Sequence, residues 1–166
     1  MVGLKGIPAI LSPDLLYTLA KMGHGDELVL ADANFPASST CRYGPTEIRA
    51  DGLRIPELLE AILQLFPLDT YVDRPAAVMD LVQEDQEGGL VIPMWETYGE
   101  LLKEAGSDKP LDKVERFAFY ERAKKSFAVV ATGDTSLYGN LIIKKGVIHP
   151  WNKVPPAPSK SLKFFG

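Results

Sequence analysis

The sequence predicts a single α/β domain, an αβα sandwich built on a mostly parallel or mixed sheet. Short apolar runs that suit buried strands alternate with segments in which apolar residues recur at helical spacing. The composition, 46% hydrophobic and 24% charged, is that of a soluble globular protein. A chain of 166 residues is long enough to bury one sizeable core.

Capping and breaking residues set the first predicted elements. Residues 12–14 (Ser-Pro-Asp) are a typical helix start, and Gly23 is predicted to end that helix because glycine takes positive φ easily. The apolar run 28–31 predicts a buried strand. The Ser-, Pro- and Gly-rich segment 33–45 is predicted to be a loop, followed by a strand at 46–50.

The middle of the chain contains the strongest helix signal. Apolar spacing predicts a helix over residues 55–66, with a proline in its first turn and Pro67 just after its end. Segments 70–72 and 76–81 are strand candidates, and segment 83–89 is predicted to be a polar loop. The remaining predicted elements are a helix at 93–105, a helix at 117–125, a strand at 127–131, a turn at 138–140 and a strand at 141–144.

The chain divides into a folded body, residues 1–148, and a Pro-rich C-terminal tail, residues 149–166. Four prolines in the tail disfavour regular structure. The tail nevertheless carries four large apolar side chains, those of Trp151, Leu162, Phe164 and Phe165. It is therefore either a solvated extension or an arm that docks on the body or on a neighbouring subunit.

Charge and targeting signals exclude several classes of partner. A net charge of −4 and a pI near 5.2 disfavour binding to nucleic acid or to an anionic membrane. No apolar run is long enough to span a bilayer, and Pro8, Pro13 and Asp14 interrupt any signal peptide. Cys41 is the only cysteine, so no internal disulfide can form. A cytoplasmic location is the prediction.

His24 stands between two glycines in the segment MGHGDE, residues 22–27. The flanking glycines place it on a tight turn between a helix and a strand, where a small molecule can reach the imidazole. A turn histidine is either an exposed residue of no consequence or part of a site. Composition and spacing alone leave both interpretations open.

No cofactor is predicted. His24, Asp26, Glu27 and Asp32 offer side chains that can bind metal, but no second histidine stands at ligand spacing. Cys41 has no partner base near it in sequence, which makes it a poor nucleophile. The glycines around His24 lack both the glycine pattern and the lysine of a phosphate loop. Metal and nucleotide chemistry are therefore not expected.

Several polar side chains are placed where strands and turns are predicted to meet. Asp32 follows the first strand, Asp69 follows the strongest helix, and Tyr138 and Asn140 belong to the predicted turn. In open α/β sheets, ligand groups collect at the carboxyl ends of the strands. Together with Tyr120, these carboxylates, phenols and amides could hold a polyol by hydrogen bonds and by an apolar ring face.

Taken whole, the sequence resembles the fucose mutarotase and ribose pyranase family over roughly residues 2–147. The resemblance rests on motifs that occur in the family's order: LSPDLL at 11–16, MGHGDE at 22–27, ADANFP at 31–36, IRADG at 48–52, RFAFYERAKK at 116–125, and YGN at 138–140 followed by KKG at 144–146. MGHGDE and RFAFYER are the most specific of these.

The resemblance implies a cofactor-free isomerase that interconverts the α and β anomers of L-fucose. Some family members also interconvert the pyranose and furanose forms of ribose. By correspondence of motifs, His24 is the proton donor, and Asp69 and Tyr120 are catalytic groups that also bind sugar. The alternatives kept open are a ribose pyranase and a non-catalytic monosaccharide-binding protein.

The same correspondence implies the remaining ligands and the assembly. Asp32, Tyr138 and Asn140 match sugar ligands, Met79 matches an apolar contact with the ligand, and Arg116 matches a sugar-binding arginine. Family members are homo-oligomers whose sugar sites lie close to subunit boundaries. We therefore expect at least a dimer, with L-fucose or D-ribose as the small-molecule partner.

Overall fold

Strands and helices alternate along residues 3–150, the part of the chain that the computed structural model describes. The elements are, in chain order, α1 (Pro13–Lys21), β1 (Glu27–Ala31), α2 (Ala37–Cys41), β2 (Thr46–Ala50), α3 (Ile55–Leu63), β3 (Ala76–Met79), α4 (Gln83–Glu87), α5 (Pro93–Glu104), β4 (Asp112–Val114), α6 (Arg116–Lys124), β5 (Ala128–Thr132) and β6 (Leu141–Lys144).

The strands form one six-stranded sheet in the order β2-β5-β1-β6-β3-β4. Strand β1 pairs with β5 in parallel, Leu28 opposite Ala128, and with β6 in antiparallel fashion, Leu28 opposite Ile143. The pairs β2·β5 and β3·β4 are parallel, whereas β3·β6 is antiparallel. Strand β6 therefore runs against all the others, and the predicted mostly parallel or mixed sheet is confirmed.

Each face of the sheet is covered by its own apolar core. Alternate side chains of β1 point to opposite faces: Leu28 and Leu30 join one core, and Val29 and Ala31 join the other. Helices α1, α3 and α5 supply the first core, and α2 and α6 supply the second. The predicted αβα sandwich is confirmed.

Helix α1 begins as predicted and ends differently. The Ser12 hydroxyl accepts a hydrogen bond from the Leu15 N–H, and Pro13 starts the helix. At the other end, Met22 already has an extended backbone, and the positive φ of +88° belongs to Gly25 and not to Gly23. The Gly23 N–H instead donates to the Asp26 carboxylate at 2.7 Å, so a side chain closes this turn.

The predicted strand at 70–72 is wrong, and its replacement bears on the site. The Asp69 carboxylate accepts a hydrogen bond from the Tyr71 N–H at 3.0 Å, which bends the backbone into an Asx-type turn. The strand begins only at Ala76 and ends at Met79. The local hydrogen bond at Asp69 therefore outweighs the strand propensity of the β-branched residues in segment 70–72.

Three short elements differ from the prediction. The predicted loops 33–45 and 83–89 contain helices α2 and α4, of five residues each. Strand β4, of three residues, was not predicted. None of the three is long enough to show a hydrophobic period, so the rule that finds longer elements does not apply. The longer predicted elements are confirmed, with ends that move by at most three residues.

The predicted C-terminal tail lies outside the described residues, apart from His149 and Pro150. Among residues 3–150, no helix is both long and apolar enough to cross a membrane.

Candidate functional site

His24 and Asp69 form a hydrogen-bonded pair. The imidazole Nε2 of His24 lies 3.2 Å from Oδ1 of Asp69. The His24 side chain is 49% exposed and that of Asp69 only 3% exposed, so a buried carboxylate holds a ring that solvent can reach. The two residues are 45 positions apart in sequence, and the fold brings them together.

Backbone contacts to the end of β6 fix both partners of this pair. On the His24 side, the Gly25 N–H donates to the Lys145 carbonyl at 2.8 Å. On the Asp69 side, the Asp69 N–H donates to the Lys144 carbonyl at 3.0 Å. Gly146 then passes so close to Asp69 that an added Cβ atom would lie 2.7 Å from the Asp69 Cα. The geometry of the pair is thus set by main chain.

Two further rings extend from His24 across this surface. The Tyr71 ring centroid lies 5.4 Å from that of His24 and 6.4 Å from that of His149. Tyr71 is exposed on this surface. Sequence motifs do not predict this neighbour of His24, because only the Asx turn at Asp69 directs Tyr71 back towards it.

Most of the other predicted ligands line one cavity of about 170 Å³. Its lining consists of Asp32, Asn34, Phe35, Met79, Tyr120, Leu137, Tyr138 and Asn140. A larger cavity of about 590 Å³ shares Leu137 with it, but that cavity is lined mainly by apolar residues such as Ile92 and Met94. Because hydrogen-bonding groups converge in the smaller cavity, it is the better candidate for binding a polar ligand.

Asp32 lies directly after β1, in the cavity wall, and is 6% exposed. Its carboxylate accepts backbone hydrogen bonds from Asn34 at 3.0 Å and from Gly139 at 3.3 Å. Burial raises the pKa of Asp32 above its ordinary value and outweighs the lowering by these N–H groups. The buried carboxyl is therefore held firmly and is easier to protonate than an exposed one.

The predicted turn at 138–140 brings a phenol and an amide to the same wall. The Asn140 amide oxygen accepts a hydrogen bond from the Asp32 N–H at 2.7 Å, which leaves the amide nitrogen as a donor for a ligand. Tyr138 has a φ of +53° and is the one described non-glycine residue with positive φ. An aromatic residue in this region is strained, and such strain is found mainly at functional sites.

Helix α6 and strand β3 supply the apolar part of the cavity. The Tyr120 ring lies against Phe35, with centroids 5.8 Å apart, and Met79 is buried at the end of β3. Arg116, at the start of α6, is exposed and does not line the cavity. Its guanidinium lies 4.7 Å from the centroid of the Phe117 ring. The predicted contact of Arg116 with sugar therefore stays a prediction.

Within one chain the predicted site residues form two separate groups. The cavity lies where β1 ends and β6 begins, whereas the His24–Asp69 pair lies where β1 begins and β6 ends. Strand β1 has five residues, so the two groups are at least about 15 Å apart. The expectation that ligand groups gather at the carboxyl ends of the strands is met by the cavity residues and not by His24 or Asp69.

The metal-site alternative has no geometric support in the part of the chain that is described. Among those residues, no group of three or more His, Cys, Asp and Glu side chains could hold a metal ion. The Asp26 carboxylate is engaged by the Gly23 N–H, and Asp32 lies at the other end of β1 from His24.

A mixed αβα sandwich with carboxylate, amide and phenol groups around an apolar floor is typical of proteins that bind small polar molecules. The model of the RbsD / FucU transport protein family matches residues 5–148 of this chain. The chain therefore belongs to that family.

Individual relatives are similar to this chain over nearly the whole folded body. The chain is 74% identical over 150 residues to the fucose mutarotase of Danio rerio, covering 90% of this chain and 97% of that protein. It is 68% identical to the fucose mutarotase of Homo sapiens, covering 89% of this chain and 96% of that protein. A crystal structure of the Streptococcus pneumoniae fucose mutarotase in complex with L-fucose superposes with a TM-score of 0.81 at 50% identity, covering 88% of this chain and all of that one.

Proposed function

We propose that this protein is a fucose mutarotase, an isomerase that interconverts the α and β anomers of L-fucose. The observation that carries the proposal is 74% identity, over almost the full length, to a fucose mutarotase. A structural relative with 50% identity was crystallised in complex with L-fucose. Cytoplasmic location remains the prediction that accompanies this function, as Cys41 is the chain's only cysteine.

The reaction needs an acid and a base and no cofactor. A base removes the proton of the anomeric hydroxyl while an acid protonates the ring oxygen, and the bond between the anomeric carbon and the ring oxygen breaks. The resulting aldehyde rotates, and the reverse transfers close the ring on its other face. Positioned proton transfer of this kind contributes roughly 10²–10⁴-fold to a rate.

We assign the main proton transfer to His24. An ionised carboxylate only accepts hydrogen bonds, so Asp69 holds the proton of a neutral His24 ring on Nε2. The Nδ1 atom of the ring is then the position that takes up and releases the proton of the sugar. Asp69 orients the ring and stabilises the charged imidazolium, as carboxylates do beside catalytic histidines.

We assign sugar binding to the cavity at the other end of β1. Asp32 accepts from sugar hydroxyls, the Asn140 amide nitrogen donates to them, and Met79 supplies an apolar contact. Tyr120 provides a ring face and a hydroxyl that can take part in proton transfer. Tyr138 and Arg116 complete the proposed ligand set.

The separation of the two groups leads us to propose a homo-oligomer, at least a dimer. Proton transfer requires His24 and the sugar to be in contact, and a single pyranose is too small to bridge both ends of β1. The separation disappears if the His24–Asp69 pair of one subunit closes over the cavity of a neighbour. In a closed symmetric assembly, every subunit places its His24–Asp69 pair over the cavity of one neighbour. Its own cavity is covered in turn by the His24–Asp69 pair of a neighbour.

Saturation-transfer NMR on the anomeric protons of L-fucose tests the function directly. We expect exchange between the α and β signals at catalytic protein concentration. A non-catalytic monosaccharide-binding protein would broaden the lines without adding exchange. The same experiment with D-ribose ranks mutarotase against pyranase activity. Lack of protein-dependent exchange with L-fucose would overturn the proposal.

A further inference from the structure

The turn that carries Tyr138 is held in place from helix α5. The Trp95 indole N–H donates to the Tyr138 carbonyl at 3.1 Å. The Tyr98 hydroxyl, on a fully buried side chain, donates to the Gly139 carbonyl at 2.5 Å. These bonds, with the one from the Gly139 N–H to Asp32, hold the backbone in the strained conformation at Tyr138.

The Tyr138 side chain is held separately, by helix α4. Its hydroxyl donates a hydrogen bond to Oδ2 of Asp85 and accepts one from the Val82 N–H at 3.3 Å. Asp85 is the one residue of α4 that is not exposed, and it does not line the sugar cavity. No resemblance or predicted motif singled it out, because the contact joins positions 53 apart in sequence.

A tyrosine hydroxyl can both donate and accept hydrogen bonds. The Tyr138 hydroxyl donates its proton to the Asp85 carboxylate, and its oxygen accepts from the Val82 N–H at 3.3 Å. Because the proton is committed to Asp85, a ligand in the cavity can meet the Tyr138 oxygen only as a hydrogen-bond donor. Asp85 thereby decides whether Tyr138 meets that ligand as a donor or as an acceptor.

We propose that Asp85 is a positioning residue that commits the hydroxyl proton of Tyr138, so that the Tyr138 oxygen accepts a hydrogen bond from a hydroxyl group of the sugar. This inference rests on the proposed sugar site and adds to it a residue that touches no sugar. It also makes Tyr138 selective, because only a sugar with a hydroxyl that can donate at that point is matched.

The ionisation of Tyr138 is consistent with this role. Burial raises the pKa of Tyr138, and the hydrogen bond to the Asp85 carboxylate raises it further. Tyr138 therefore keeps its proton at neutral pH and serves as an oriented neutral group, not as a base.

The test compares Asp85→Ala, Asp85→Asn and the control Glu84→Ala, each in wild-type and Tyr138→Phe backgrounds. Glu84 is an exposed carboxylate on the same helix. The KM and kcat of L-fucose exchange are measured for each, with the dissociation constant of L-fucose from NMR titration. In the wild-type background we expect Asp85→Ala to raise KM about 3- to 10-fold, the ratio that matches one lost hydrogen bond. We expect kcat to change by less than about twofold, since uniform binding is what is lost.

Asp85→Asn keeps an acceptor oxygen and is expected to fall between wild type and Asp85→Ala, whereas Glu84→Ala should behave as wild type. In the Tyr138→Phe background Asp85→Ala should change neither KM nor the dissociation constant further. An equal loss of affinity with and without the Tyr138 hydroxyl overturns the proposal, because Asp85 then acts on the fold and not through Tyr138.

A second readout needs neither sugar nor activity. The pH titration of the Tyr138 ring, followed by the ¹³Cζ NMR signal, should move to lower pH in Asp85→Ala and stay in place in Glu84→Ala. An unmoved titration in Asp85→Ala overturns the hydrogen bond itself. If wild type shows no anomeric exchange, the proposed function fails, while this titration and the affinity comparison still decide the role of Asp85.

Discussion

The His24 imidazole is bound through Nε2 to the Asp69 carboxylate at 3.2 Å, and one partner is half exposed while the other is buried. This asymmetry separates two tasks. The exposed ring can meet a substrate. The buried carboxylate can hold the ring because the β6 main chain binds the Asp69 backbone and the Tyr71 N–H binds the carboxylate itself.

Replacement of the His24 imidazole should abolish proton transfer to and from the sugar without unfolding the protein. We expect His24→Gln to lower the rate of anomeric exchange by roughly 10²–10⁴-fold, the usual contribution of positioned proton transfer. The unfolding free energy should change little, because the side chain is half exposed. The matched control is His149→Gln, the chain's other histidine, which should keep the wild-type rate. A folded His24→Gln protein with normal exchange would show that another group transfers the proton.

The close approach of Gly146 to Asp69 should make that glycine irreplaceable. A Cβ atom at Gly146 would lie 2.5 Å from the Leu68 carbonyl oxygen, so Gly146→Ala must displace the backbone beside Asp69. We expect a loss of about 1–3 kcal/mol in unfolding free energy, as for other overpacked sites, together with slower exchange.

Gly99 is the matched control for that substitution. It lies within α5, where an added Cβ meets nothing within 4 Å. Because glycine disfavours a helix, Gly99→Ala should stabilise the protein by about 0.5–1 kcal/mol and leave exchange unchanged. Urea denaturation of both variants measures the contrast. Equal stability of the two alanine variants would mean that the backbone near Asp69 yields easily.

The buried Asp32 predicts a definite trend of stability with pH. Its pKa is raised by burial, so the folded state binds the proton more tightly than the unfolded state. Wild type therefore gains stability as pH falls through the raised pKa towards the ordinary value of 3.8, and Asp32→Asn lacks this gain. Between pH 7 and pH 4 we expect an increase in the unfolding free energy of wild type minus that of Asp32→Asn. The increase should be about 1.4 kcal/mol for each factor of ten by which folding tightens proton binding to Asp32.

Asp134 supplies the control of opposite sign. Although burial raises the pKa of Asp134, hydrogen bonds from the backbone N–H groups of Ser136 and Ile55 outweigh it and lower the pKa. Its stabilisation is present above the ordinary value of 3.8 and is lost as pH falls from that value through the lowered pKa. The difference for Asp134→Asn should therefore stay nearly constant from pH 7 to pH 4 and shrink below pH 4, and urea denaturation from pH 7 to below pH 4 measures both variants. Parallel trends for the two variants would contradict the assigned directions.

The sequence predicts a helix or strand correctly wherever residues that are neighbours in the chain determine that element. The start of α1 at Ser12, the strand β2 and the apolar runs of β1 and β5 all depend on neighbouring residues, and they lie where predicted. Helix α4 shows the limit. It has no buried residue, and its side-chain hydrogen bonds join Gln83 to Glu87, Gln86 to the Leu81 carbonyl, and Asp85 to the distant partner Tyr138. No local pattern contains that partner.

Prediction of the candidate site from the sequence is also limited by contacts between residues that are distant in the chain. Motif resemblance predicts that His24, Asp69 and the cavity residues all belong to the site. It does not predict where each residue lies in the fold. The predicted strand at 28–31 already separates His24 from Asp32, but it does not show which of the two is joined by Asp69 and which by Asn140. The antiparallel pairing of β1 with β6 decides this, because it brings Lys144, which binds the Asp69 backbone, to the end of β1 near His24. That grouping depends on non-local pairing, which spacing in a sequence does not determine.

The separation of the His24–Asp69 pair from the cavity allows a direct test of a site shared between two subunits. Suppose that one preparation carries His24→Ala and the other Asp32→Ala, each folded and each inactive. If a site takes its His24–Asp69 pair from one subunit and its cavity from the next, a mixed oligomer contains some interfaces at which both parts are intact. Random mixing of equal amounts should restore about one quarter of the wild-type activity, since each of the two parts is intact with a probability of about one half.

The mixed sample must be dissociated and reassembled before the exchange rate of L-fucose is measured, because pre-formed oligomers do not share interfaces. The matched control mixes His24→Ala with Asp69→Ala. These two changes lie in the same group at the same end of β1, so no mixed interface regains an intact pair and activity should stay low. Restored activity in the control as well, or none in the first mixture, would contradict a site built from two subunits. Light scattering of the wild type at micromolar concentration should show at least a dimer, and a monomer with full activity would require His24 to reach the cavity of its own chain.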